Sequence, residues 1–117
     1  LTPEIVENAL NQRTTEEKHF FRPDQVIKNI CMFYNIRETL IKGPKRNAPL
    51  VKARHIAMFI LKNELSLSLV EIGNILGGRD HTTVMHGVGK IEKLLLNKNF
   101  SEEMVGIKSL LKNANNN

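Results

Sequence analysis

The chain has 117 residues, 41% hydrophobic and 5% aromatic, with 17 Lys and Arg against 12 Asp and Glu. That length makes a single domain, or one domain with a short piece of a neighbour, around a small core. The single cysteine, Cys31, excludes a disulfide framework and a cysteine-based zinc site, and no apolar run approaches the ~20 residues needed to cross a bilayer.

The four histidines, at positions 19, 55, 81 and 86, do not have metal-ligand spacing, so no metal site is expected. No signal-peptide pattern opens the sequence, and a chain beginning at Leu1 reads as a fragment of something longer. A reduced, cytoplasmic setting fits this composition. The net charge of +5 and pI of 9.6 suggest an anionic partner. Between Arg37 and Lys62 there are seven cations (Arg37, Lys42, Lys45, Arg46, Lys52, Arg54 and Lys62) and one acid, Glu38. The first 21 residues run the other way, with four Glu against Arg13 and Lys18. One phosphate-facing surface would produce this asymmetry, although a solvated basic face fits the charge alone equally well.

Thr2-Pro3-Glu4 reads as a helix start, followed by the apolar stripe Ile5, Val6, Ala9 and Leu10. Asn11 to Lys18 contains no apolar residue and marks a boundary. Pro23 opens the next helix, whose buried face is expected at Val26, Ile27, Ile30, Phe33 and Tyr34, with Cys31 as inert packing. Asn35 suits its C-terminal end, and Arg37 to Ile41 can add a short turn. Gly43 to Pro49 reads as a loop, because two prolines within six residues do not continue a helix. A central helix is predicted from about Leu50 to Leu65, with Ile56 to Leu61 uninterruptedly apolar and Lys52, His55 and Lys62 on its remaining strip.

Ser68-Leu69-Val70-Glu71 matches a capping box, which opens a short helix to about Leu76. Gly77-Gly78 breaks it. Asp80 can cap a following helix that carries Val84, Val88, Ile91 and Leu95 on one face. Asn97 to Asn99 should end that helix, Ser101 should cap a last one, and a polar tail should follow from Asn113. No strand pattern or repeat is visible, so the fold class is all-α.

A short helix, a tight glycine turn and a longer helix form a helix-turn-helix pattern. The first turn of the longer helix holds Asp80, His81, Thr82 and Thr83, and two adjacent threonines are poor choices for a merely solvated turn. They suit a helix N-terminus pushed into a DNA groove. Thr offers a hydroxyl and a methyl to base edges, Asp can accept from cytosine, and imidazole can meet a purine edge. Free amides at the helix start favour a nearby phosphate. Plainer readings exist for each: Asp80 as a cap only, His55 as a surface residue, and His81 and His86 too far apart in register to share a zinc ion. A sequence-independent interaction module and a helix-turn-helix transcription regulator are the alternative functions. A nucleotide-handling enzyme at Gly77 to Thr83 is disfavoured, because the Lys-Ser/Thr of a phosphate loop is missing.

The run Ile72-Gly73-Asn74-Ile75-Leu76-Gly77-Gly78-Arg79-Asp80-His81-Thr82-Thr83-Val84-Met85-His86, continued by Lys90-Ile91-Glu92, resembles the signature of the bacterial replication initiator family DnaA. The likeness extends upstream through Arg54-His55-Ile56-Ala57-Met58, Lys45-Arg46 and Phe33-Tyr34-Asn35-Ile36. It implies a compact, Trp-repressor-like helix-turn-helix domain over residues 20–112. Residues 1–19 would be a remnant of the AAA+ lid helix and connector, and residues 113–117 a disordered tail. It also implies sequence-specific binding of double-stranded DNA at DnaA boxes. Arg46, Asp80, His81 and Thr82 would read bases, Arg46 from the minor groove. Lys45, Arg54, His55, Lys62, Arg79 and Thr83 would contact the DNA backbone. ATP and Mg would belong to the parent protein only, as would contacts with other initiator subunits, and no membrane contact is indicated. Four positions depart from the family pattern: Ala53 for a frequent Pro, His55 for Gln, Gly87 for Ala or Ser, and Gly89 for a longer polar residue.

Overall fold

The structure is a computed structural model that describes residues 22–116, with side chains described through residue 112. The readings for residues 1–19 and for His19 lie outside the described residues. Six helices run in order: α1 (Pro23–Tyr34), α2 (Glu38–Ile41), α3 (Ala48–Leu65), α4 (Leu69–Ile75), α5 (His81–Leu94) and α6 (Lys98–Asn116). No strand is present among the described residues.

α3 is the axle. Ile56, Ala57, Met58, Phe59, Ile60 and Leu61 are all buried, so α3 is surrounded, and it packs against α1, α2, α4 and α5. Its start lies earlier than the prolines suggest. Pro49 occupies the first helical turn, where an amide hydrogen has no intrahelical acceptor in any case. The loop is therefore confined to residues 42–47. At the far end Ser66 adopts a left-handed conformation (φ 58°), and the Leu67 amide closes back onto Leu61 O at 3.3 Å.

α1 buries Val26, Ile27, Ile30 and Cys31 as its spacing requires, and burial pushes the Cys31 thiol up from its ordinary range. Phe33 departs from the expected stripe. It stays partly exposed at the edge of the core and meets Tyr34 edge-on, with ring centres 5.0 Å apart. Asn35 ends α1 in the left-handed region (φ 57°).

α6 closes the core with Phe100, Met104, Ile107 and Leu111. Its cap is Asn97, whose Oδ1 accepts from the Phe100 amide at 3.1 Å, and not Ser101. Asn97 and Ser101 are both competent caps, but Asn97 is the one that lets Phe100 turn inward at the third helical position. The α6 backbone continues to Asn116, through the residues read from sequence as a tail. Tyr34 Oη donates to the Glu103 carboxylate, and Lys52 Nζ lies 3.2 Å from Glu103 Oε2, which ties α6 to α1 and α3 together. Lys52 also sits 5.3 Å from the centre of the Phe100 ring.

Candidate nucleic-acid interface

α4 begins at the capping box read from sequence: Glu71 N–H donates to Ser68 Oγ (3.1 Å) and Ser68 N–H to Glu71 Oε1 (2.9 Å). Hydrogen bonds from the Ser68 amide, and then from its hydroxyl, to the charged form hold the Glu71 carboxyl below its usual range. The turn that follows is shaped by three glycines. Gly77 and Gly78 take φ of 88° and 82°, which L-residues rarely adopt. Gly73 is needed for another reason. The amides of Gly78 and Arg79 both donate to Gly73 O, at 2.9 and 2.8 Å, and a β-carbon on Gly73 would lie 2.0 Å from Arg79 O. The turn is thus folded back on α4, which aims the start of α5 outward.

Asp80 caps α5 by accepting from Thr82 N–H (3.3 Å), and its other carboxylate oxygen lies 3.4 Å from His81 Nδ1. His81, Thr82 and Thr83 are exposed, while Val84, Val88 and Ile91 face the core. The helix start therefore presents the four residues that the sequence singled out, side by side and in water.

The basic loop reaches this surface through two arginines. Arg54 is only 4% exposed; its Nε donates to Ile41 O (2.7 Å) and its Nη2 to Leu40 O (3.0 Å) and Gly43 O (2.9 Å). Arg79 donates to Leu76 O and Gly43 O, and its Nη1 lies 3.5 Å from Lys42 O. Much of both guanidinium groups is engaged in holding the protein's own carbonyls. Gly77 packs so closely below this loop that a β-carbon would lie 2.2 Å from Lys42 O.

Between loop and helix opens a cleft lined by Lys42, Arg46, Arg54, His55, Arg79, Thr83 and Lys90, with no acidic residue among its lining. Burial, and then neighbouring cations, hold Arg54 and Arg79 below their ordinary values. His55 is likewise held down by burial, Lys90 and Arg54. This is positive charge gathered without a counter-charge, at a surface where an anion would relieve the repulsion.

The structure brings together Arg46, Arg54, His55, Arg79 and Thr83. Lys45 is exposed on the same loop. Lys62 is exposed two turns beyond His55, on the same face of α3, outside the cleft lining. Lys52 leaves the basic strip expected for α3, because Glu103 takes its charge. Two cleft cations, Lys42 and Lys90, had no assigned role from sequence. The signal for Lys90 is its position seven residues after Thr83, two turns along one helix face. Among the described residues no group of three His, Cys, Asp or Glu could hold a metal ion. None of the described helices is long and apolar enough to cross a membrane.

The family model described as the bacterial dnaA protein helix-turn-helix matches residues 23–91. The chain belongs to the DnaA helix-turn-helix family. It is 39% identical over 99 residues to a chromosomal replication initiator protein DnaA of Ureaplasma parvum, covering 85% of this chain and 21% of that protein. It is 49% identical over 73 residues to the protein of that name from Thermomicrobium roseum, covering 62% of this chain and 16% of the relative. With the Roseiflexus castenholzii protein it shares 34% over 116 residues, covering 97% of this chain and 24% of the relative. The chain spans about a fifth of the length of these curated relatives. The DnaA match ends within α5, so the turn and the capped helix start both lie inside it.

Proposed function

We propose that this domain binds double-stranded DNA at DnaA boxes and places a chromosomal replication initiator on its origin. The observation that carries the reading is the juxtaposition of an acid-free basic cleft with an exposed Asp80-His81-Thr82 turn at a capped helix start. Only a ligand that offers phosphates and readable base edges together uses both. Asp80, His81 and Thr82 read bases in the major groove, and Arg46 enters the adjacent minor groove. Lys45, His55, Lys62 and Thr83 hold the DNA backbone. Arg54 and Arg79 add charge to the cleft while fixing the loop that carries Arg46.

The domain acts by binding and is not itself an enzyme. ATP and Mg belong to other parts of the initiator, as do contacts with further initiator subunits. Its place is the cytoplasm, on the nucleoid. The test is a titration of a DnaA-box duplex and a scrambled duplex at two salt concentrations. The box duplex should bind more tightly at both, and log K should fall with log salt by about 0.9 per phosphate engaged. Equal affinity for both duplexes would reduce the domain to a sequence-independent basic module.

A further inference from the structure

His55 stands in an unusual position. Its ring lines the basic cleft on one side and, on the other, a groove with an apolar floor of Val51, Ile91 and Leu94 between α3 and α5. Across from it is Gly87 of α5. A β-carbon on Gly87 would lie 2.5 Å from Met58 Sδ and 2.7 Å from His55 Cδ2, with His55 Cγ at 3.3 Å. The ring carbons Cδ2 and Cγ of His55 therefore occupy the room that a side chain at position 87 would need, directly against the helix backbone. Among the described residues, neither nitrogen has a hydrogen-bond partner in the protein.

The charged groups around the ring all have one sign. Arg54 shares its helix, Lys90 and Lys93 come from α5, Lys42 and Arg46 from the loop, and Arg79 from the glycine turn. Lys52, on the groove side, is paired with Glu103, and no carboxylate lines the cleft or the groove. In the free protein a proton on His55 would add a cation to this set while half-buried, so burial, Lys90 and Arg54 disfavour the protonated ring there. A phosphate seated in the cleft reverses both terms. It offsets the cations, and it gives the partnerless ring an acceptor for a charge-assisted hydrogen bond.

We infer that His55, packed against Gly87 at the wall of the basic cleft, takes up a proton when duplex DNA occupies the cleft, so that the domain binds DNA more tightly as the medium becomes more acidic. This rests on the DNA-binding reading above and adds to it a regulation of the same site. One proton taken up makes affinity rise by at most about tenfold per pH unit.

The experiment is a titration of the DnaA-box and scrambled duplexes at fixed salt from pH 8 to 5.5, read as the slope of log K against pH. The wild-type domain should gain about tenfold across that range. His55→Gln, which keeps a polar side chain but has no titrating proton, should lose most of the slope. His86→Gln, an exposed histidine outside the cleft, should keep it. Gly87→Ala should blunt the slope in the wild type and change it no further in His55→Gln. Should His55→Gln fail to fold, the His55 ring resonance in the wild-type domain gives the same answer. Its titration midpoint should move up when the box duplex is added. A slope that survives His55→Gln, or a midpoint that duplex leaves in place, overturns this inference while a preference for the box stands. No box preference at pH 8 overturns the DNA-binding reading and this inference with it.

Discussion

Arg54 and Arg79 donate to the same carbonyl oxygen, that of Gly43, although one comes from α3 and the other from the glycine turn after α4. The loop tip that carries Lys45 and Arg46 is thus pinned from α3 and from the glycine turn at once. Arg54→Ala should cost about 3 kcal/mol of stability, since three carbonyls lose a charged donor in a largely buried place. Binding of box and scrambled duplexes should fall together, because the loop loses its position. Arg54→Lys can remake one of the three bonds and should recover only part. Urea denaturation alongside DNA titration separates the two effects; full stability with lost binding would make Arg54 a phosphate contact and nothing more.

Base reading and phosphate holding should separate by mutation. Thr82→Ala or His81→Ala should cost roughly 1–3 kcal/mol on the box duplex and relax discrimination against altered boxes. Lys62→Ala should weaken box and scrambled duplexes alike and lower the salt slope by about one contact. Equal losses on both duplexes for Thr82→Ala would mean that the start of α5 does not read sequence.

Arg46 is exposed at a loop whose course is fixed by carbonyl bonds and by Pro44. A guanidinium suits a narrow A·T-rich minor groove, and a strongly hydrated ammonium suits it less. Arg46→Ala should therefore weaken box binding with no change in circular dichroism, and Arg46→Lys should recover little. The loss should shrink on a duplex whose A·T pairs at one end of the box are replaced by G·C. Parental binding by Arg46→Lys would place that side chain on a phosphate instead.

Acidity should act on the free protein in the opposite sense to its action on the complex. Burial, Lys90 and Arg54 hold folded His55 below its ordinary value of 6.5, so the unfolded chain binds more protons just below that pH. Stability is then fully present above pH 6.5 and is lost as pH falls through the ordinary value toward the folded one. Thermal melts of the free domain should drop between pH 7.5 and 5, and His55→Gln should drop less. An identical pH response in the two proteins would show that His55 does not set it.

Two glycines should respond oppositely to alanine. Gly89→Ala meets open space in a helix interior and should stabilise by up to about 1 kcal/mol. Gly73→Ala drives a β-carbon into Arg79 O and should destabilise by more than that, with box binding lost as the turn opens. Chemical denaturation of both variants decides the signs.

Helix periods and local chemistry were readable one residue at a time. The Ser68 capping box, the Asp80 cap, the Gly77-Gly78 break and the buried run of α3 all depend on neighbours within a few residues. What the sequence did not yield depends on contacts across the chain. Charge counting puts Lys52 and Arg54 together among the seven cations from Arg37 to Lys62, yet one is paired with Glu103 and the other buried under the loop. His55 and Gly87 look unrelated 32 residues apart in sequence. In space they meet, with the ring filling the room that a β-carbon would take. Ser101 reads as the cap of the last helix and Asn97 as the end of the one before it, and the inward course of Phe100 makes Asn97 the cap instead.

The family-model match stops at residue 91, but the hydrophobic core does not. Phe100, Met104, Ile107 and Leu111 of α6 are each at least 95% covered, and burying such side chains contributes about 1.5–3 kcal/mol apiece. A piece trimmed to the matched residues would keep every group assigned to DNA and lose one wall of the core against α1, along with the Tyr34–Glu103–Lys52 tie. The stretch that holds every group assigned to DNA is therefore shorter than the stretch that builds the core, and the second sets where the chain can be cut.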